Sequence, residues 1–261
     1  MTIANQKTST PEQTSRPDRV SGLYVGLTYE DWQDLTQWLP MMRISWDDDG
    51  NYYHSFTRAF QDNYELVKGN VLNPKHGYSQ TWKNKRIYGI FDGRIPRRAD
   101  SLESYSLYGV EKHKGDFISL FARNGGKRHG DRYDVFPEVA PNEAGEYEFW
   151  FRIYGLPSLI RQGHKEVKAI ADRLQPQQKL TLKVEFKETK VYYNDIHMGY
   201  CPHYIHYFLT RYPDSKYEIT VDIVNYDEYC YEDRIIAKFI LSSEKPIYSC
   251  SDLRPINSMP V

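Results

Sequence analysis

Residues 179–205 read KLTLKVEFKETKVYYNDIHMGYCPHYI, and the fold assignment turns on them. Leu180, Leu182, Val184 and Phe186 alternate with Lys179, Lys183, Glu185 and Lys187, the period-2 pattern of a half-buried strand. The stretch closes on Met198-Gly199-Tyr200-Cys201-Pro202, a tight strand exit leading into an aromatic, histidine-rich segment.

Upstream, the same logic gives strands over Leu23–Leu27, Met41–Trp46 and Tyr52–Phe56, with Asp47-Asp48-Asp49-Gly50-Asn51 as a hairpin turn. The three aspartates lack the alternating oxygen ligands and terminal glutamate of a calcium loop, so a solvated turn is expected. Two short amphipathic helices are expected between Asp100 and Ala122, broken near Gly115. Strands follow at Tyr133–Glu138 and Tyr147–Tyr154, separated by a turn at 141–145, and Gly155-Leu156-Pro157-Ser158 ends the second. A helix over Lys165–Leu174 delivers the chain to residue 179, and 217–224 and 235–241 supply the last strands.

Composition narrows the class. A chain of 261 residues is long enough for a real core, and its 23 tyrosines supply rigid amphipathic rings suited to sheet surfaces, interfaces or base stacking. Net charge is −1, so the whole molecule is no polyanion trap. Cys201, Cys230 and Cys250 form no CxxC pair and are odd in number, which fits a reducing cytoplasm. There is no apolar run of the ~18–20 residues that span a bilayer and no signal-peptide layout at the start, so a soluble cytoplasmic protein is expected.

Two segments carry the chemistry of nucleic-acid contact. Between residues 75 and 98, Lys83, Lys85, Arg86, Arg94, Arg97 and Arg98 interleave with Tyr78, Trp82, Tyr88 and Phe91. Cations neutralise phosphates while aromatic faces stack on bases; the plain alternative is a solvated face with inward rings. The glycine-rich loop 122–132, with Lys127, Arg128 and Arg132, would approach a phosphate through its backbone N–H groups or serve as a connection.

The order Tyr147–Leu156, helix, LQPQQKLTL (174–182) and MGYCPHY (198–204) resembles a HIRAN domain, here spanning about 147–241. RNGGKR (123–128) and YDVFPE (133–138) resemble the region that precedes the domain in many bacterial proteins. The tyrosine content and the strand pattern favour a β-rich α+β chain, with an N-terminal β-meander plus short helices over 21–145. The resemblance implies that the 146–245 part is an OB-like, HIRAN-like β-barrel packed with it. Residues 1–20, rich in Thr, Ser and Gln with almost no large apolar residues, are expected to be a disordered tail, with a C-terminal tail over 246–261. The resemblance also implies binding of single-stranded DNA within a DNA-processing or defence complex. Pro157 and Ser158 stand where the family has basic and aromatic residues that grip a DNA end, and 186–195 lacks the family's aspartate, so no end-pocket residue is transferred.

The expected function is therefore a non-catalytic nucleic-acid-binding protein, single-stranded DNA favoured, with no cofactor and no membrane partner. Tyr192, Tyr193, Tyr200 and Tyr204 are added as stacking candidates. A scaffold using the tyrosine-rich surface for protein contacts is the alternative. A further one is a metal-dependent nuclease, since Asp172 and Glu185-Phe186-Lys187 match a sparse PD-(D/E)xK pattern. His197, Cys201, His203 and His206 have zinc-ligand chemistry at a spacing that matches no familiar finger, and no metal is expected.

Overall fold

The computed structural model describes residues 20–30, 36–70, 81–85, 87, 105–110, 117–126, 132–226 and 233–255. The expected meander is present as β1 (Val20–Glu30), β2 (Thr36–Trp46) and β3 (Tyr52–Phe56). Its β2–β3 turn is closed by Asp47, whose Oδ1 accepts from the backbone N–H of Asn51 at 2.9 Å. The Asn51 and Tyr53 side chains also donate to this carboxylate, and they hold its pKa well below the usual carboxylate range. Adding β4 (Trp82–Asn84) and β5 (Tyr133–Val139) gives an antiparallel sheet of order β4-β3-β2-β1-β5.

Alternation along β1 sends its two faces into different cores. Leu23, Val25 and Leu27 pack with Met42, Ile44, Phe56 and Phe60. Over that face lie α1 (Arg58–Asp62), capped by Thr57 Oγ1, then α2 (Tyr64–Val67) and α3 (Phe117–Asn124). Tyr24 on the other face joins Phe136 and Val139 in the core formed by the C-terminal half. A sheet buried on both faces explains why β1 reads as a nearly continuous apolar run.

The C-terminal half holds two three-stranded antiparallel sheets, neither closed into a barrel. One runs β10 (Lys216–Val224), β11 (Ile235–Ser242), β6 (Glu146–Arg152). The other runs β7 (Thr181–Val184), β8 (Thr189–Tyr193), β9 (Ile196–Tyr200). Hydrogen bonds join their edges at two places. Tyr154 and Tyr200 exchange both backbone bonds, at 2.9 and 2.8 Å, and Leu180 N–H donates to Ile219 O at 3.0 Å. Packed among them are α4 (Leu156–Arg161), α5 (Lys165–Ala171) and α6 (His203–Arg211).

Three local expectations are corrected. Residues 156–161 begin a helix instead of merely ending a strand: Leu156 and Leu159 fall on one buried face, and Pro157 suits the first helical turn. The histidine-rich segment after Pro202 is also helical, burying Tyr204, Ile205, Phe208 and Leu209. The alternation over 179–187 is a true strand only to Val184, because Glu185 N–H turns back onto Glu188 O. Val184 is 44% exposed and Phe186 85%, so neither faces a core. Of the two helices expected between 100 and 122, α3 is present; Tyr105 and Ser106 are helical and run into a turn over 107–109, and residues 100–104 and 111–116 lie outside the described ones.

The C-terminal segment packs back through its described part. Ile247 and Leu253 are fully buried, and the Tyr248 hydroxyl donates to Pro137 O at 2.6 Å. The ring of Tyr248 stacks on Tyr24, Tyr24 on Phe136 and Phe136 on Tyr204, with centroids 6.0, 5.0 and 5.2 Å apart.

Gly199 has φ +139°, and a Cβ there would lie 2.3 Å from Tyr154 O, the carbonyl that joins β6 to β9. Gly199→Ala should therefore lower unfolding stability by roughly 3 kcal/mol or more, read by urea denaturation. His54 is fully buried against Trp82, and burial lowers its pKa to about 4. Its neutral form stabilises the fold fully above the ordinary histidine value near 6.5, and that contribution is lost as pH falls from there towards 4. It amounts to about 3 kcal/mol, and a His54→Phe variant should show a correspondingly flatter pH–stability profile.

Candidate functional site

Among the described residues, the cationic candidates Lys83 and Lys85 lie at β4, one edge of the five-stranded sheet, and Arg132 at the other. Lys83 Nζ is 4.0 Å from Asp47 Oδ2 and 5.4 Å from the Tyr53 ring centre, and Lys85 donates to Asp49 O at 2.9 Å. Arg86, Arg94, Arg97, Arg98, Lys127 and Arg128 lie outside the described residues. Arg132 is exposed just before β5. The start of the glycine loop is a helix end: Gly125 N–H donates to Phe121 O and Gly126 N–H to Asn124 Oδ1, so these two amides are spent internally and do not cradle a phosphate.

The tyrosine candidates divide. Tyr204 is a correction: it is 1% exposed, stacked on Phe136, and cannot meet a base. Its place on the apolar face of α6 explains the burial. Tyr192 and Tyr193 are half-buried on β8, where Tyr192 meets His197 and the Tyr193 hydroxyl accepts from Gln178. Tyr200 lines a cavity.

That cavity has a volume of about 210 Å³ and sits between the end of β9, the first turns of α6 and the N-terminal sheet. It is lined by Asp134, Tyr154, Glu188, Thr189, Tyr200, Cys201, His203 and His206, among others. A second, outer cleft of about 430 Å³ shares Glu188, His203 and His206 with it. Trp38 from β2 and Phe186 and Lys187 from the β7–β8 turn line the outer cleft.

Each wall has an identifiable cause. Gly26 on β1 lies between Trp38 and Asp134, and a Cβ there would come within 2.2 Å of Asp134 Oδ1 and 2.4 Å of Trp38 Nε1. Because that position is glycine, Trp38 Nε1–H can donate to Asp134 Oδ1 at 3.0 Å across the strand. The other oxygen, Oδ2, is 3.5 Å from His203 Nδ1. A buried carboxylate thus orients an imidazole at the cleft. His206 is held through Nδ1 by Thr189 Oγ1 at 3.0 Å, and burial lowers its pKa.

Asp172 and Glu185 of the nuclease reading are both held in ion pairs. Asp172 pairs with Lys168 at 2.9 Å and with Arg234 at 3.4 Å beside α5. Glu185 pairs with Lys190 at 2.7 Å and with Lys183 at 3.6 Å. Residues 185–187 are in a turn, so Glu185 and Lys187 do not share a strand face as expected. Among the described residues, no three His, Cys, Asp or Glu side chains form a group that could hold a metal ion. His197 is set apart from the other three candidate ligands, with Nε2 on Gly199 O at 3.0 Å.

Sequence reading missed Trp38, Asp134 and Phe186. The available signals were a lone carboxylate inside the apolar strand YDVF and a lone ring inside the charged run KVEFKETK. Comparison with protein-family models, with curated proteins and with solved structures gives no match, and the cleft is read from its own chemistry. Among the described residues no helix is long and apolar enough to cross a membrane.

Burial pushes the Cys201 thiol up to about 12, which disfavours the thiolate that nucleophilic chemistry needs. In the native protein at neutral pH, Cys201 should resist brief iodoacetamide treatment and become labelled only in denaturant, as read by peptide mass mapping. Rapid native labelling would contradict its place in the wall.

Proposed function

We propose that this protein binds single-stranded nucleic acid, with DNA favoured, and does no chemistry on it. The strand would run through the outer cleft between the β7–β8 turn and α6. One observation carries the reading: the Phe186 ring, 85% exposed, stands beside Lys187 on a cleft whose other wall holds Trp38. An exposed ring costs hydrophobic free energy unless something covers it, and a ring flanked by a cation is the element on which unpaired bases stack. Lys179 and Lys183 nearby are exposed but ion-paired, with Glu218 at 3.4 Å and Glu185 at 3.6 Å, which leaves Lys187 as the cation of this reading. Of the carboxylates nearby, Glu185 pairs with Lys190 and Lys183, and Glu188 in the cleft wall is 3.7 Å from Lys190.

The fold gives this reading some support. The edge bonds between Tyr154 and Tyr200 and between Leu180 and Ile219 would connect β6, β11, β10, β7, β8 and β9 in a circuit, as a small HIRAN-like barrel requires. Membership of a DNA-processing or defence complex is proposed from that resemblance alone. A protein-contact surface is the second reading, favoured by Val184, Phe186 and Tyr217, all exposed near one sheet edge.

Fluorescence anisotropy with a labelled single-stranded DNA twenty-mer separates the two. Affinity should fall steeply between ~50 and ~200 mM salt, and Lys187→Ala should reduce the salt slope by about 1. Phe186→Ala should weaken binding by about 5- to 150-fold, the effect of one lost base–ring stack, with an unchanged circular dichroism spectrum. Undetectable binding at low salt, or a Phe186→Ala variant of wild-type affinity, would sink the proposal.

A further inference from the structure

The cavity beside Tyr200 is about half the volume of the neighbouring cleft and chemically particular. Its volume of about 210 Å³ leaves room for a planar heterocycle. Two of its walls are aromatic, Tyr154 and Tyr200. Tyr200 is fixed by its two backbone bonds to Tyr154 and by the His197 ring 4.9 Å away at 80°. A ring entering here meets walls that do not have to be ordered first, which lowers the cost of binding.

The polar groups are of two kinds. Asp134 and Glu188 are carboxylates, which only accept hydrogen bonds when ionised. His203 and His206 are imidazoles, and each has one ring nitrogen occupied from within the protein: Nδ1 of His203 faces Asp134, and Nδ1 of His206 meets Thr189. Thr189 Oγ1 and His206 Nδ1 share one hydrogen bond at 3.0 Å, so Nε2 of the neutral ring donates in one tautomer and accepts in the other. In the tautomer with the proton on Nε2, the lining holds carboxylate acceptors and an imidazole donor together.

From this we infer that the inner cavity is a base-reading pocket, taking one unstacked base that presents an exocyclic amino group beside a ring-nitrogen acceptor. Cytosine and adenine have that edge. Uracil and thymine place a carbonyl oxygen where the amino group would be, and it would face a carboxylate with no proton between them. An Asp or Glu accepting from an exocyclic amino group is an established mode of base discrimination, as at cytosine N4. Taking a base out of a single strand costs little unpairing energy, since it has no partner to leave. The inference rests on the nucleic-acid reading above and adds to it a preference that backbone and stacking contacts would not give.

The test compares oligo-deoxycytidine and oligo-deoxyuridine decamers as competitors for a labelled single strand, at neutral pH and fixed salt. The two share a backbone and ring size and differ at the edge that the pocket would read. The deoxycytidine decamer should bind about 5- to 150-fold more tightly. Asp134→Asn should erase that ratio while leaving the response to Phe186→Ala intact. Should Asp134→Asn fail to fold, the half-buried Glu188→Gln provides the same readout, and a fall in the ratio supports the pocket. Equal affinity of the two decamers for the wild-type protein, with Phe186→Ala still weakening both, overturns the base pocket and leaves strand binding standing. Failure of both decamers and of the labelled strand to bind overturns the two readings together.

Discussion

The column of rings Tyr248, Tyr24, Phe136 and Tyr204 is the contact on which the remaining arrangement depends. Its members come from the C-terminal segment, β1, β5 and α6, so four stretches distant in sequence meet in one stack. Such pairs contribute about 0.5–1.5 kcal/mol each beyond area burial. Their larger effect is geometric. The Tyr24 hydroxyl donates to Leu253 O and the Tyr248 hydroxyl to Pro137 O, so the rings also fix the segment that closes the chain over the sheet.

That constraint creates the cleft. With Tyr204 seated on Phe136, the first turn of α6 is drawn against β5, and the neighbouring His203 comes within 3.5 Å of Asp134. Asp134 is two residues before Phe136, so alternation along β5 puts the carboxylate on the same face as the ring. The glycine at position 26 clears the space in which Trp38 reaches that carboxylate. Gly26 is thus as much a part of the site as the polar groups, although it offers no side chain to a ligand.

The tyrosine-rich composition was a sound guide to a β-rich protein and a poor guide to which rings are exposed. Tyr204 and Phe186 sit in the same opening stretch of sequence and have opposite fates. Tyr204 falls on the apolar stripe of a helix whose other members, Ile205, Phe208 and Leu209, are also buried. Phe186 continues the alternation of β7, yet β7 stops at Val184, and a turn carries the ring into solvent. Periodicity gives the phase of a side chain along an element and not the point at which the opposing surface ends.

The sequence by itself determined the local elements with strong signatures: the β1–β3 meander with its aspartate turn, β5, β6, β10, β11, and the helix that precedes residue 179. Each follows from alternation, turn chemistry or helical spacing within about ten residues, where local physics is sufficient. It also held the residue types of the cleft, histidines and lysines near Gly199-Tyr200. Only the tertiary structure decided that Trp38 and Asp134 belong beside them, since those contacts join positions 96 and 69 residues apart. Such pairings are set by how one sheet is buried on both faces, and no local pattern in the chain encodes which carboxylate a given imidazole will meet.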